Sequence, residues 1–260
     1  MHKGQPIVFF DSGLGGISVL ADALAFMPHE HYVYFGDSAN APYGTKNDAV
    51  VLRLTLESVE KLDGIGIKAL VVACNTATGI AANALRKKYP FPVIGMEPAL
   101  KAAFHLRQRG LILVMATPLT LLSVKYKALY AQYGENAVDL PCPGLMDFVE
   151  REELDSPALD AYLQTLFSQF RDQEIDSVVL GCTHYLFIQS AIAKNLPLST
   201  RIINGNRGTV NQLRRRLAQM DLLADNQVSG GVQLLSSGGA GKVSQMERML
   251  RLMQSRSGSE

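Results

Sequence analysis

The sequence predicts an α/β protein with mostly parallel sheets, on three observations. Short apolar runs rich in β-branched residues recur along the chain. Helical patterns separate most of them. The run Val71-Val72-Ala73-Cys74-Asn75-Thr76 has a counterpart in Val179-Leu180-Gly181-Cys182-Thr183-His184, with the two cysteines 108 positions apart. Continuous apolar strands alternating with helices read as parallel strands covered on both faces.

The elements follow in order. An apolar run at 7–10 enters the turn Asp11-Ser12-Gly13-Leu14-Gly15-Gly16 and a helix over 17–26. A strand at 32–36 leads to the polar loop Asp37-Ser38-Ala39-Asn40-Ala41-Pro42-Tyr43-Gly44 and a helix over 47–63. Strand 69–73 precedes Cys74 and a helix over 77–88, and strand 93–95 follows. Further strands read at 111–116, 137–140, 177–181 and 201–203, with helices over 119–133, 157–173 and 187–193. The chain ends in an amphipathic helix over 242–254 and a frayed polar tail over 255–260. Gly95-Met96-Glu97-Pro98 and Asn204-Gly205-Asn206 each join turn residues to a strand end, so they read as crossings between domains. One domain is then 1–97 plus 206–260, and the other 98–205. Facing copies of one α/β unit would bring two cysteine-bearing strand ends to one cleft, where open α/β sheets bind ligands.

Composition narrows the class. The 260 residues are 47% hydrophobic and 19% charged, as in an ordinary globular enzyme. A formal net charge of +1 argues against nucleic acid or an anionic membrane as the main partner. The basic cluster Arg214-Arg215-Arg216 reads as a solvated helix face. No apolar run approaches a membrane span, and no signal-peptide pattern precedes the first strand, so a cytoplasmic protein is expected. Three cysteines without CxxC spacing fit neither a disulfide framework nor a zinc knuckle.

The glycine-rich turn at 11–16 fits neither the dinucleotide fingerprint nor the Walker pattern. Asp11 or Ser12 could cap the next helix, and a carboxylate there could also assist a proton-carrying group. The 37–44 loop reads either as a connecting turn or as a binding loop for a small carboxylate. Cys74 and Cys182 each stand between a strand and a helical segment, where a helix N-terminus stabilises a thiolate. A buried cysteine is more often a small hydrophobe, but two in matched settings weaken that explanation. Cys142, between Pro141 and Pro143, lacks the setting and reads as structural. His184 is placed to serve Cys182 as acid or base. One Cys–His pair would fit acyl transfer. Two like thiols fit inversion of a stereocentre, with an acid on one face of a carbon and a base on the other.

At this point the motifs resemble those of the glutamate racemase family. The matching stretches are Phe10-Asp11-Ser12-Gly13-Leu14-Gly15-Gly16, Gly36-Asp37-Ser38 with Pro42-Tyr43-Gly44, Ala73-Cys74-Asn75-Thr76-Ala77, Gly95-Met96-Glu97-Pro98-Ala99 and Leu180-Gly181-Cys182-Thr183-His184-Tyr185. The resemblance implies two pseudo-symmetric α/β domains with glutamate in the interdomain cleft, and neither pyridoxal phosphate nor metal. It implies Cys74 and Cys182 as the catalytic acid/bases, Asp11 assisting the first, His184 the second, and Glu150 as an additional carboxylate. Asp11, Ser12, Pro42, Tyr43, Gly44, Asn75, Thr76, Thr117, Thr183 and His184 match the substrate-binding positions. It further implies supply of D-glutamate for peptidoglycan. The assembly state is left open, a homodimer included. Two alternatives stay open: an aspartate or hydantoin racemase of the same superfamily, and a non-catalytic binding protein for small carboxylates.

Overall fold

The structure is a computed structural model and describes residues 1–225 and 228–257. The chain forms two compact units, Met1–Met96 with Asn206–Glu260, and Glu97–Gly205. The first unit opens with β1 (Ile7–Asp11), α1 (Ile17–Phe26), β2 (Tyr32–Gly36), α2 (Asp48–Leu62), β3 (Ala69–Val72), α3 (Asn75–Lys88) and β4 (Val93–Gly95). The second contains α4 (Leu100–Leu106), β5 (Leu111–Ala116), α5 (Pro118–Leu122), α6 (Val124–Tyr133), β6 (Ala137–Pro141), α7 (Leu145–Glu150), α8 (Pro157–Phe167), β7 (Ile175–Leu180), α9 (Gln189–Lys194) and β8 (Arg201–Asn204). The chain then rejoins the first unit with α10 (Asn206–Gln219), β9 (Val232–Ser236) and α11 (Ala240–Ser257).

Among the described residues every strand pairing is parallel. One sheet has the order β4-β3-β1-β2-β9 and the other β6-β5-β7-β8. Matching β1, β2, β3 and β4 to β5, β6, β7 and β8 makes the two orders identical, apart from β9. The pseudo-symmetry is therefore one of topology. It extends to single hydrogen bonds beyond the strand ends. Ala73 N donates to Phe10 O at 2.9 Å, and Gly181 N to Met115 O at 2.7 Å. Asp37 N donates to Asp11 O at 2.9 Å, and Cys142 N to Ala116 O at 3.0 Å. The central strands β1 and β3 are buried throughout, as expected of parallel strands covered on both sides. Such burial is why they appear in the sequence as unbroken apolar runs.

Several expectations need correction. The helix expected over 119–133 is two helices, because Ser123 has extended backbone (φ −63°, ψ 142°). Its hydroxyl donates to Thr120 O at 2.8 Å and accepts from Tyr126 N at 3.2 Å, so one side chain ends α5 and caps α6. Ser123→Ala should cost about 1 kcal/mol of stability, read as a lower urea midpoint at unchanged slope. The helix expected over 157–173 ends at Phe167 and tightens into a 3-10 turn, Ser168–Phe170. The residues expected as a tail from 255 are helical through Ser257, while 258–260 lie outside the described residues. Three elements were not anticipated, α4, α7 and β9, and of α10 only the basic stretch at 214–216 was read as helical. Arg214, Arg215 and Arg216 lie exposed on α10, as a solvated face requires.

The return segment is pinned at the amino ends of the strands. Lys68, fully buried, donates to Glu30 Oε2 at 2.5 Å, Lys3 O at 2.6 Å and Leu222 O at 2.9 Å. Glu30 Oε1 accepts from Ala224 N at 2.9 Å. The three ammonium donors are thus used, as burial of a charge demands. Among the described residues, no helix is long and apolar enough to cross a membrane.

Candidate active site

In each sheet the winding reverses beside the first strand of the unit, between β1 and β3 and between β5 and β7. Loops beyond such switch points are where open α/β sheets gather chemistry. Asp11 ends β1, Ser12 follows it, and Cys74 stands two residues beyond β3. Thr117 follows β5, and Cys182 stands two residues beyond β7.

In the first unit, Asp11 is buried, and its Oδ1 accepts from Gly13 N at 2.9 Å, which folds the glycine turn back on the strand end. A Cβ at Gly16 would lie 2.9 Å from the Cβ atoms of Ala73 and Asp11. Glycine there lets the turn lie against the end of β3. Cys74 is the N-cap of α3, with Sγ accepting from Ala77 N at 3.4 Å and 3.5 Å from Ser12 Oγ. The sulfur thus faces the positive end of a fourteen-residue helix. Asn75 and Thr76 occupy the first turn of that helix and are buried. Among the described residues, Asn75 Oδ1 is buried without a protein hydrogen-bond partner, an acceptor that a ligand ammonium can satisfy.

The loop after β2 is ordered by Asp37, a buried carboxylate. It accepts from Tyr43 Oη at 2.6 Å and from Asn40 Nδ2 at 3.0 and 3.1 Å. Burial, the bond to Asp37 and the neighbouring Asp37, Cys74 and Asp11 push the Tyr43 hydroxyl far above its ordinary pKa. It therefore stays a hydrogen-bond donor. The Ala41–Pro42 peptide is cis, and Tyr43 and Gly44 are buried.

In the second unit, Thr117 caps α5 and its Oγ1 lies 2.9 Å from Thr120 Oγ1. Cys182 opens a 3-10 turn, Thr183–Ile188, rather than an α-helix. No side-chain cap bond forms there, so the expected match to Cys74 as a helix cap fails. A different support is present. Cys182 Sγ lies 3.7 Å from His184 Nδ1, and His184 Nε2 lies 3.0 Å from Glu150 Oε1 at the end of α7. Burial opposes the charged imidazole, but the bonds and charges of Cys182 and Glu150 outweigh it and hold its pKa well above the ordinary histidine value.

The matched hydrogen bonds explain this division of labour. Asp11 and Asp37 occupy the positions of Ala116 and Cys142 in the other unit. The first unit thus carries two carboxylates at positions that Ala116 and Cys142 occupy in the second, where His184 and Glu150 supply titratable groups instead. Cys142 is buried, donates to Leu140 O at 3.1 Å, and has its thiol pushed up by burial and by Cys182. It packs as a neutral group. Thr183 is buried beside Cys182. Within the first unit, then, Asp11 at the end of β1, Ser12, Tyr43 and Gly44 on loops, and Cys74, Asn75 and Thr76 at the start of α3 lie at one sheet end. Within the second, Cys182, His184 and Glu150 form one chain of contacts, and Thr117 and Thr183 lie on the same sheet end. Thr120 and Ser237, which bond to Thr117 and Asp37, were not singled out from the sequence. The hydroxyl spacing of Thr117 and Thr120 across one helical turn was the available signal. Among the described residues, no group of three or more His, Cys, Asp or Glu is arranged for a metal ion.

Comparison with known proteins bears on these arrangements. Residues 16–213 match the family model described as Asp/Glu/Hydantoin racemase. A glutamate racemase of Clostridium botulinum is 45% identical over 251 residues, covering 95% of this chain and 97% of its own. Among solved structures, a glutamate racemase isoform from Bacillus anthracis is 32% identical with a TM-score of 0.86, over 96% of this chain and 95% of that one. A glutamate racemase from Francisella tularensis in complex with D-glutamate is 28% identical with a TM-score of 0.82, over 96% and 94%.

Proposed function

The chain belongs to the Asp/Glu/Hydantoin racemase family, and on that premise we propose that it interconverts L- and D-glutamate by a two-thiol proton transfer at Cα. One thiol, as thiolate, removes the α-proton, and the other, as thiol, returns a proton to the opposite face. For the other enantiomer the two exchange roles. The single observation that carries this reading is the equivalence of Cys74 and Cys182, each two residues beyond matching strands of sheets with the same order.

The chain's own residues then have distinct tasks. The N-terminus of α3 and Ser12 support Cys74 as a base, and Asp11, at the end of β1, is assigned to assist it. His184, held by Glu150, supports Cys182. The α-proton of an amino acid is a weak acid, so the developing negative charge needs preorganised donors in a dry site. Asn75, Thr76, Thr117, Thr183 and the Pro42-Tyr43-Gly44 segment supply polar groups for the ammonium and the carboxylates. The product fits a role in supplying D-glutamate for peptidoglycan, in the cytoplasm, where the three cysteines would stay reduced.

Glutamate is favoured over aspartate because the curated relatives similar along nearly the full chain are glutamate racemases. The test is incubation of either enantiomer of glutamate in heavy water. Loss of optical activity with deuterium at Cα of the product is expected. A protein that binds glutamate without exchange is a carboxylate-binding protein instead. Faster turnover of aspartate would move the substrate assignment within the family.

A further inference from the structure

We infer that Ser237 is a positioning residue for glutamate: acting through Asp37, it fixes Tyr43 and Gly44, an assignment that rests on the proposed activity. β9 is the strand of the first sheet that has no counterpart in the second. It pairs with β2 in a register that sets Gly36 against Ser236, so the chain leaves it directly beside the turn that follows β2. There Ser237 makes three hydrogen bonds to that turn. Its N–H donates to Gly36 O at 3.1 Å, its hydroxyl donates to Asp37 Oδ1 at 2.7 Å, and the same hydroxyl accepts from Ala39 N at 3.0 Å.

The effect of these bonds passes through Asp37. That carboxylate is 2% exposed, and its side-chain donors, Ser237, Tyr43 and Asn40, are all neutral. A buried charge held only by neutral donors depends on each of them. Without the Ser237 hydroxyl, Oδ1 keeps, among the described residues, only the Asn40 amide, which it shares with Oδ2. The carboxylate must then turn toward its remaining donors. Tyr43 cannot follow freely, because it is fully buried with its ring 6.4 Å from that of Phe10. The strain passes to the backbone at Tyr43 and Gly44, which are expected to meet a substrate carboxylate. Cys74 is held separately, by α3. Ser237 should therefore govern binding of glutamate more than the proton transfer.

The experiment is steady-state racemisation by Ser237→Ala, Ser237→Thr and Asp37→Asn, with the double variant of Ser237→Ala and Asp37→Asn. Ser237→Ala is expected to raise KM for both enantiomers by about five- to tenfold, the loss of one hydrogen bond, with kcat within about twofold. KM does not depend on the fraction of protein that folds, so partial misfolding cannot imitate this result. Ser237→Thr, which restores the hydroxyl at an exposed position, should return KM to within about twofold of the native value. In the Asp37→Asn background, Ser237→Ala should add less than about twofold, because coupled groups are not additive. A native protein that fails to racemise glutamate overturns the proposed activity and this assignment with it. An active native enzyme overturns the Ser237 assignment alone in either of two cases: KM unchanged by Ser237→Ala, or the same loss with and without Asp37.

Discussion

Cys74→Ser and Cys182→Ser should each abolish net racemisation, with a loss of at least about a thousandfold in kcat for either enantiomer. A serine hydroxyl is far less acidic than a thiol, so each variant loses, on one face only, the group that is the base for one enantiomer and the proton donor for the other. The two losses should be similar in size although the two sulfurs have different surroundings, because a full turnover needs both. What distinguishes the variants is one-sided chemistry. An analogue of glutamate with a leaving group on Cβ needs only a base: the α-proton goes to the remaining thiolate, and the leaving group departs with its bonding electrons. Each variant should eliminate from one enantiomer and not from the other, and the two variants should prefer opposite enantiomers. Chiral chromatography of the unreacted analogue measures this. Elimination from the same enantiomer by both variants would mean that the sulfurs serve one face, and the two-base proposal would fall.

The equivalence behind that prediction was legible in the sequence because it lies in buried strands. Val71-Val72 and Val179-Leu180 end β3 and β7, and burial on both faces turns a parallel strand into an apolar run. The strands and their order of appearance followed from the same signal. β9 did not, because it is an edge strand that is partly exposed, between Gly230-Gly231 and Ser237-Gly238-Gly239. The helix α10 carries Arg214-Arg215-Arg216 among few apolar residues, and its buried side chains Val210, Leu213 and Leu217 are too sparse to stand out. The helix break at Ser123 depends on two hydrogen bonds of one hydroxyl, which no periodicity reveals. Within the site, the placement of residues was readable where a motif was local, as at Cys74-Asn75-Thr76, which start α3 at the end of β3. The support of Cys182 was only half legible. His184 lies two residues away and was visible, whereas the 3-10 turn and the contact of Glu150 with His184 depend on the packing of α7 against that turn. Ser237 and Asp37 lie 200 positions apart, and only the register of β9 against β2 brings them together.

That contact of Glu150 with His184 carries the second large effect. His184→Asn and Glu150→Gln should both lower kcat/KM, the first by about a hundredfold or more, as loss of a group that assists proton transfer does. The loss in kcat/KM must be the same for L- and D-glutamate, because enantiomers have equal free energy and the equilibrium constant is one. The asymmetry appears in kcat and KM taken separately. The direction in which Cys182 must be the base loses more, since a histidine that donates to the thiolate is what stabilises it. Equal changes of kcat in both directions would reduce His184 to a binding role. Stability against pH gives an independent reading. His184 has a folded pKa raised well above its ordinary value, despite the opposing effect of burial, by its contacts with Cys182 and Glu150. A raised pKa means the folded state binds a proton that the unfolded state releases. That stabilisation is fully present below about pH 6.5, the unfolded histidine value, and is lost as pH rises through the folded value. Glu150→Gln removes one of its sources. Urea unfolding should therefore find the variant least stable relative to the native protein near pH 6, with the gap narrowing as pH rises. A gap that stays constant across that range would mean that Glu150 does not act on the charge of His184, and the chain of contacts from Cys182 to Glu150 would lose its electrostatic role.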